Sequence, residues 1–170
     1  MTPRSRDQLR FVLKFAIFLL LFYVVITPEP VDRNVIVPFS HVLAVVSGGA
    51  LNLFAQHVHV TGTVIAGPAF AVDIKNGCNG IEAVVFLCAA IAAFPASWRA
   101  RLLGILAACT IIEGLNVIRI VSLYLIGRYR PSAFGAFHLA VWQSVIFAAA
   151  VFLFLAWTAR VRRTDALASR

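Results

Sequence analysis

Three side chains in this sequence have the chemistry of acyl transfer, and each opens or interrupts an apolar run. Cys78 stands in Asn76-Gly77-Cys78-Asn79-Gly80, where two Asn-Gly pairs predict a sharp turn into the apolar stretch that follows. With Asn76 as the N-cap, the thiol would sit at a helix N-terminus, where the dipole lowers its pKa and favours the thiolate. Arg119 lies inside a long apolar run, three residues after Asn116, which is itself three after Glu113. That spacing puts neighbours on a shared helical face. His138 follows the polar loop Arg128-Tyr129-Arg130-Pro131 and opens the last apolar run, at the height expected for Cys78. Thiolate, fixed cation and imidazole are the parts that acyl transfer requires, and the chemistry needs neither a metal nor an organic cofactor. Glu82, one turn beyond Cys78, is placed to meet a cation such as Arg119.

Other residues invite plainer readings. Cys88 and Cys109 lie among Ala, Leu and Ile, where cysteine serves as a small buried hydrophobe. His57 and His59 share one face of a predicted strand but lack a third ligand, which makes a poor zinc pattern. Glu82, Glu113 and Arg119 could instead be structural ion pairs in a non-catalytic membrane transporter or assembly subunit. A thiol oxidoreductase is disfavoured, because Cys88 lies about 15 Å further along the helix than Cys78.

The elements that must hold these residues are membrane helices. The chain has 170 residues, 61% hydrophobic and only 13% charged. A soluble domain this small cannot hide so much apolar surface. A soluble enzyme, a disordered tail and a secreted disulfide scaffold are excluded. The net charge is +8, but the arginines flank apolar runs and form no single face, so nucleic acid is not the partner. The lipid bilayer is.

Spanning helices are expected over residues 10–27, 78–95, 102–126 and 134–157. The stretch 35–55 is also apolar but carries Pro38, Ser40, His41, Ser47, Gly48, Gly49 and Asn52. Charge decides its place. If it does not cross, both termini are cytoplasmic. The inner side then holds Arg4, Arg6, Arg10, Lys14, Arg99, Arg101, Arg160, Arg162, Arg163 and Arg170. Only Arg33, Lys75, Arg128 and Arg130 lie outside. If it crosses, the bias disappears. The excess of basic residues on the cytoplasmic side therefore predicts an outer-side re-entrant or interfacial helix. Between it and the next span, alternation across residues 58–75, broken at Ala66-Gly67-Pro68, predicts a short β-hairpin on the outer side. The expected fold is one all-α integral membrane domain over 1–170, with about four transmembrane helices.

Set in that order, the motifs resemble a known family. Cys78-Asn79-Gly80 at the outer start of one span, Asn116-Val117-Ile118-Arg119-Ile120 in the next and His138 opening the following one are similar to the exosortase/archaeosortase family. The likeness covers about Val58 to Trp157, and Asn76-Gly77-Cys78-Asn79-Gly80-Ile81-Glu82-Ala83 looks most like the exosortase H branch. The resemblance implies a membrane cysteine transpeptidase of the bacterial inner membrane with its active site on the periplasmic side. It implies Cys78 as nucleophile, Arg119 as essential cation and His138 as third catalytic residue, with Glu82, Asn116 and Asn79 supporting. Implied substrates are exported proteins ending in a short motif, a transmembrane helix and a basic tail, with motifs of the Ile-Pro-Thr-Leu type. The implied product is a thioester on Cys78, passed to an envelope acceptor.

Overall fold

Long apolar runs broken by proline and glycine fold as long helices with one small sheet between them. The computed structural model describes residues 3–168, so Arg170 of the inner charge set lies outside them. Helix α1 (Pro3–Ile26) ends before Pro28, and α2 follows at Glu29–Leu53 with one π-helical turn at Asp32–Ile36. Strands β1 (His59–Thr61), β2 (Val64–Ala66) and β3 (Ala71–Asp73) come next. Helices α3 (Ile81–Ala93) and α4 (Trp98–Tyr129) follow. The last helix, α5, runs continuously through Pro131–Ala136, a π-helical turn at Phe137–Val141 and Trp142–Ala168.

Four helices are long and apolar enough to cross a bilayer: α1, α2, α4 and α5. The expected count holds, but one member changes. The run 78–95 is helical only over Ile81–Ala93, 13 residues, or about 20 Å against a hydrocarbon core of about 30 Å. Its first residues form a turn, and Phe94 before Pro95 is extended (ψ 138°), as the clash with the proline ring demands. The stretch 35–55, conversely, belongs to a helix of 25 residues that begins at Glu29.

The expected hairpin is a three-stranded antiparallel sheet in the order β1-β2-β3. The middle strand, Val64–Ala66, lies between two tight turns and is too short for alternation to reveal it.

Packing divides α4 into two neighbourhoods. Near its middle, Ala108 and Ile112 join Leu87 and Ile91 of α3 and Ala150 of α5 in one apolar core. Toward its C-terminus, Ile120 and Tyr124 join Leu43, Ala44 and Leu51 of α2 and Val58, Ile65 and Ile74 around the sheet. Helix α1 leans on α3, which also packs on α4 and α5. Outward-facing side chains such as Leu20, Leu103, Ile118, Phe152 and Leu155 are large and apolar, a surface suited to lipid. Asn116 and Arg119 fall between the two cores, where α3 begins and the sheet ends.

Candidate active site

Cys78 is presented by a turn built from its glycines. The N–H of Cys78 donates to the Lys75 carbonyl at 2.9 Å, closing a four-residue turn. Gly77, in the third position, has φ +86°, and Gly80 has φ +79°, left-handed values that side chains resist. Helix α3 starts only at Ile81, with Gly80 as its N-cap. Asn76 is thus not the cap, and Cys78 precedes the helix.

The turn is bolted to α2 by its two asparagines. Asn79 is 1% exposed, and its amide donates to Ser40 Oγ at 3.2 Å and to Asn76 Oδ1 at 3.3 Å. Its Oδ1 accepts the N–H of Ile81 at 3.3 Å. The Asn76 amide donates to Asp32 Oδ1 at 2.8 Å. Asp32 and Ser40 were not legible as site residues. The one signal was a serine inside an apolar run, which needs a polar neighbour.

His138 meets the turn from α5. Its Nε2 lies 3.6 Å and its Nδ1 3.8 Å from Cys78 Sγ. The residue sits in the π-helical turn Phe137–Val141, a distortion that recurs at functional sites. Phe134 stacks on the imidazole, with centroids 5.6 Å apart and planes 11° from parallel. Arg119 reaches the same place from α4 and is 3% exposed. Its Nη2 donates to the Gly77 carbonyl at 3.4 Å, while its buried Nε has no hydrogen-bond partner among the described residues. Cys78, Arg119 and His138 line one cleft of about 580 Å³, together with β3 and Phe134.

Burial pushes the Cys78 thiol above its ordinary range. The Arg119 guanidinium draws it back down, and the carboxylates of Glu82 and Asp73 oppose that. The expected resting thiolate is therefore corrected. Burial outweighs the Arg119 charge, so the thiol is harder to ionise than a free cysteine and a base beside it is of use.

The supporting residues divide. Glu82 acts on Cys78 through its charge, but it forms no ion pair with Arg119. Among the described residues the ion pairs are Arg10–Asp7 and Lys75–Asp73. Asn116 is fully buried beneath Gly80, beside Glu113, and neither side chain has a well-formed hydrogen bond. Cys88 Sγ lies 3.9 Å from Cys109 Sγ, across the α3–α4 contact and away from the cleft. No three His, Cys, Asp or Glu side chains among the described residues are grouped to hold a metal ion.

The geometry now has a family to answer to. The family described as transmembrane exosortase matches residues 5–156, nearly the whole chain. This chain belongs to the transmembrane exosortase family. At family level the exosortase is a membrane-embedded sorting transpeptidase and a multi-pass membrane protein. No curated protein and no solved structure matches this exosortase.

Proposed function

We propose that this exosortase cuts the C-terminal sorting signals of exported proteins through a thioester on Cys78 and passes them to an envelope acceptor. One observation carries the reading. A thiol and an imidazole 3.6 Å apart share a cleft with a buried guanidinium that no carboxylate among the described residues neutralises. A structural arginine at such depth would be paired with a carboxylate. This one keeps a donor free, which argues against the ion-paired scaffold.

The steps follow from the groups present. His138 takes the Cys78 proton as the sulfur attacks the scissile carbonyl, and Arg119 donates to the oxyanion that forms. When the intermediate collapses, the C–N bond breaks and His138 returns the proton to the leaving amine. A thioester remains on Cys78. His138 then removes a proton from the incoming amine or water, which attacks the thioester and regenerates the thiol. A desolvated thiol beside a base suits this sequence, because it ionises only when the carbonyl is in place.

The substrates would carry a motif of the Ile-Pro-Thr-Leu type, a transmembrane helix and a basic tail. The site would face the periplasm from the inner membrane, with both termini cytoplasmic. Helix α2, though long enough to cross, would then lie on the outer side beside Ile120 and Tyr124, beyond Arg119 along α4. The short helix α3, with the residues flanking it, would make the crossing between α1 and α4. Impermeant thiol labelling of single-cysteine variants should modify position 130 and spare position 100, and labelling of position 100 would overturn that topology. The test of function is the gel mobility of a tagged passenger ending in such a signal, co-expressed with the exosortase. Wild type should shorten it and Cys78→Ala should not. Equal processing by both would end the cysteine mechanism.

A further inference from the structure

The cleft beside Cys78 is walled on one side by an unbroken run of chain, residues 70–76. A strand that turned a face to the cleft would contribute alternate residues, because successive side chains point to opposite faces. Consecutive lining residues mean that β3 turns its edge to the cleft.

The sheet register fixes what that edge offers. β3 pairs with β2 alone, as Ala66↔Ala71, Ile65↔Val72 and Val64↔Asp73. The bonds Gly67 N–H to Phe70 C=O at 2.9 Å and Ile74 N–H to Thr63 C=O at 3.0 Å set the alternation. Val72 is therefore bonded to Ile65, while the N–H and C=O groups of Ala71 and Asp73 point away from β2. No hydrogen bond to these main-chain groups occurs among the described residues. An open edge of this kind is a template for another extended chain.

We propose that the substrate segment carrying the scissile bond adds to β3 as a fourth, extended strand. Its main chain bonds to Ala71 and Asp73, and its carbonyl is delivered to Cys78. The inference rests on Cys78 as the nucleophile and says how the peptide is held there. An extended chain advances about 3.3 Å per residue, so a strand registered on Ala71 and Asp73 comes level with Cys78 within a few residues. Main-chain bonds would supply affinity, and the apolar walls at Phe70, Leu123 and Phe134 would select side chains.

Ala71→Pro tests the idea directly. It deletes one donor from the free edge and spares the β2–β3 bonds, since an edge strand accepts proline where its N–H faces away from the sheet. The tagged passenger with an Ile-Pro-Thr-Leu motif, a transmembrane helix and an arginine tail should be cut roughly tenfold more slowly, the loss expected for one main-chain hydrogen bond. Cutting at the wild-type rate would overturn strand addition and leave the cysteine mechanism standing. No cutting by wild type, or cutting by Cys78→Ala, would remove the mechanism and strand addition together.

Disulfide trapping covers the case in which the proline variant fails to fold. Ala71→Cys is placed with Cys78→Ala, Cys88→Ala and Cys109→Ala, and the passenger carries one cysteine at successive positions through and before its motif. An added strand brings alternate residues beside position 71. Trapped bands should therefore recur with a period of two, and uniform trapping or none would overturn the proposal.

Discussion

Two sulfur pairs in this protein have almost the same separation and opposite surroundings. Cys78 lies 3.6 Å from His138 Nε2, and Cys88 lies 3.9 Å from Cys109 Sγ. All three cysteines are half-buried. Cys78, however, rides on a turn between a sheet and a helix, and it opens on a cleft with an unneutralised guanidinium. Cys88 and Cys109 project from two regular helices beside a core of Leu87, Ile91, Ala108 and Ile112. Proximity between sulfur and a partner is common to both pairs. What distinguishes a site is a base, a free donor and room for a substrate.

The largest expected effect breaks the comparison at the sulfur. Cys78→Ala and Cys78→Ser should insert normally yet lose processing of the tagged passenger by at least about a thousandfold. Cys88→Ala and Cys109→Ala should stay within roughly twofold of wild type, since a small buried hydrophobe is replaced by another. A comparable loss at either would make the two pairs functionally alike.

Removing the base should cost nearly as much. His138→Ala is expected to lose roughly 10²–10⁴-fold in the rate of passenger cleavage, the span of positioned acid–base catalysis. Phe134 loses the imidazole it stacks on but keeps its edge contact with Phe70, so unchanged membrane levels separate this loss from misfolding. Arg119→Gln comes next, at roughly 10²–10³-fold, the worth of one oxyanion donor. Arg119→Lys should fail with it. A compact ammonium cannot reproduce the planar fork that donates to the Gly77 carbonyl from one nitrogen and aims another at the oxyanion. Full activity in Arg119→Lys would mean that charge alone matters.

The smallest effect sharpens the electrostatics. Cys78 begins above the ordinary thiol range, so its thiolate fraction at neutral pH is low and rises with pH. Its rate of alkylation should climb on the alkaline side of a free cysteine's. Arg119→Gln deletes the charge that lowers the pKa and should move the profile further up. Glu82→Gln deletes one that raises it and should move the profile down. Each change is expected to be a few-fold in rate at fixed pH. Shifts in the reverse sense would mean that neither group faces the sulfur.

Much of this was readable from residue order. Apolar runs long enough to span lipid announce α1, α4 and α5, because hydrocarbon admits only chain that satisfies its own main-chain bonds. Two Asn-Gly pairs around Cys78 announce a turn, because glycine alone takes a left-handed φ without strain. Arg119 announces itself as a charge in an apolar run. These are local properties, decided by a residue and its near neighbours in sequence.

Tertiary structure decided the rest. The run 78–95 shortens to a helix of 13 residues, and the stretch 35–55 becomes part of one of 25. The turn that takes the first residues of the run is held by the docking of Asn79 on Ser40, a contact 39 residues apart in sequence. The middle strand of the sheet exists through its two neighbours, since three residues carry no period of their own. The thiol's ionisation turned on burial, which no spacing records. That His138 meets Cys78 depends on a π-helical turn that changes the direction of a side chain 60 residues away in sequence. Sequence order fixes what each side chain can do chemically, but which of them can act on one carbonyl is a matter of distances between helices, and those are set by packing.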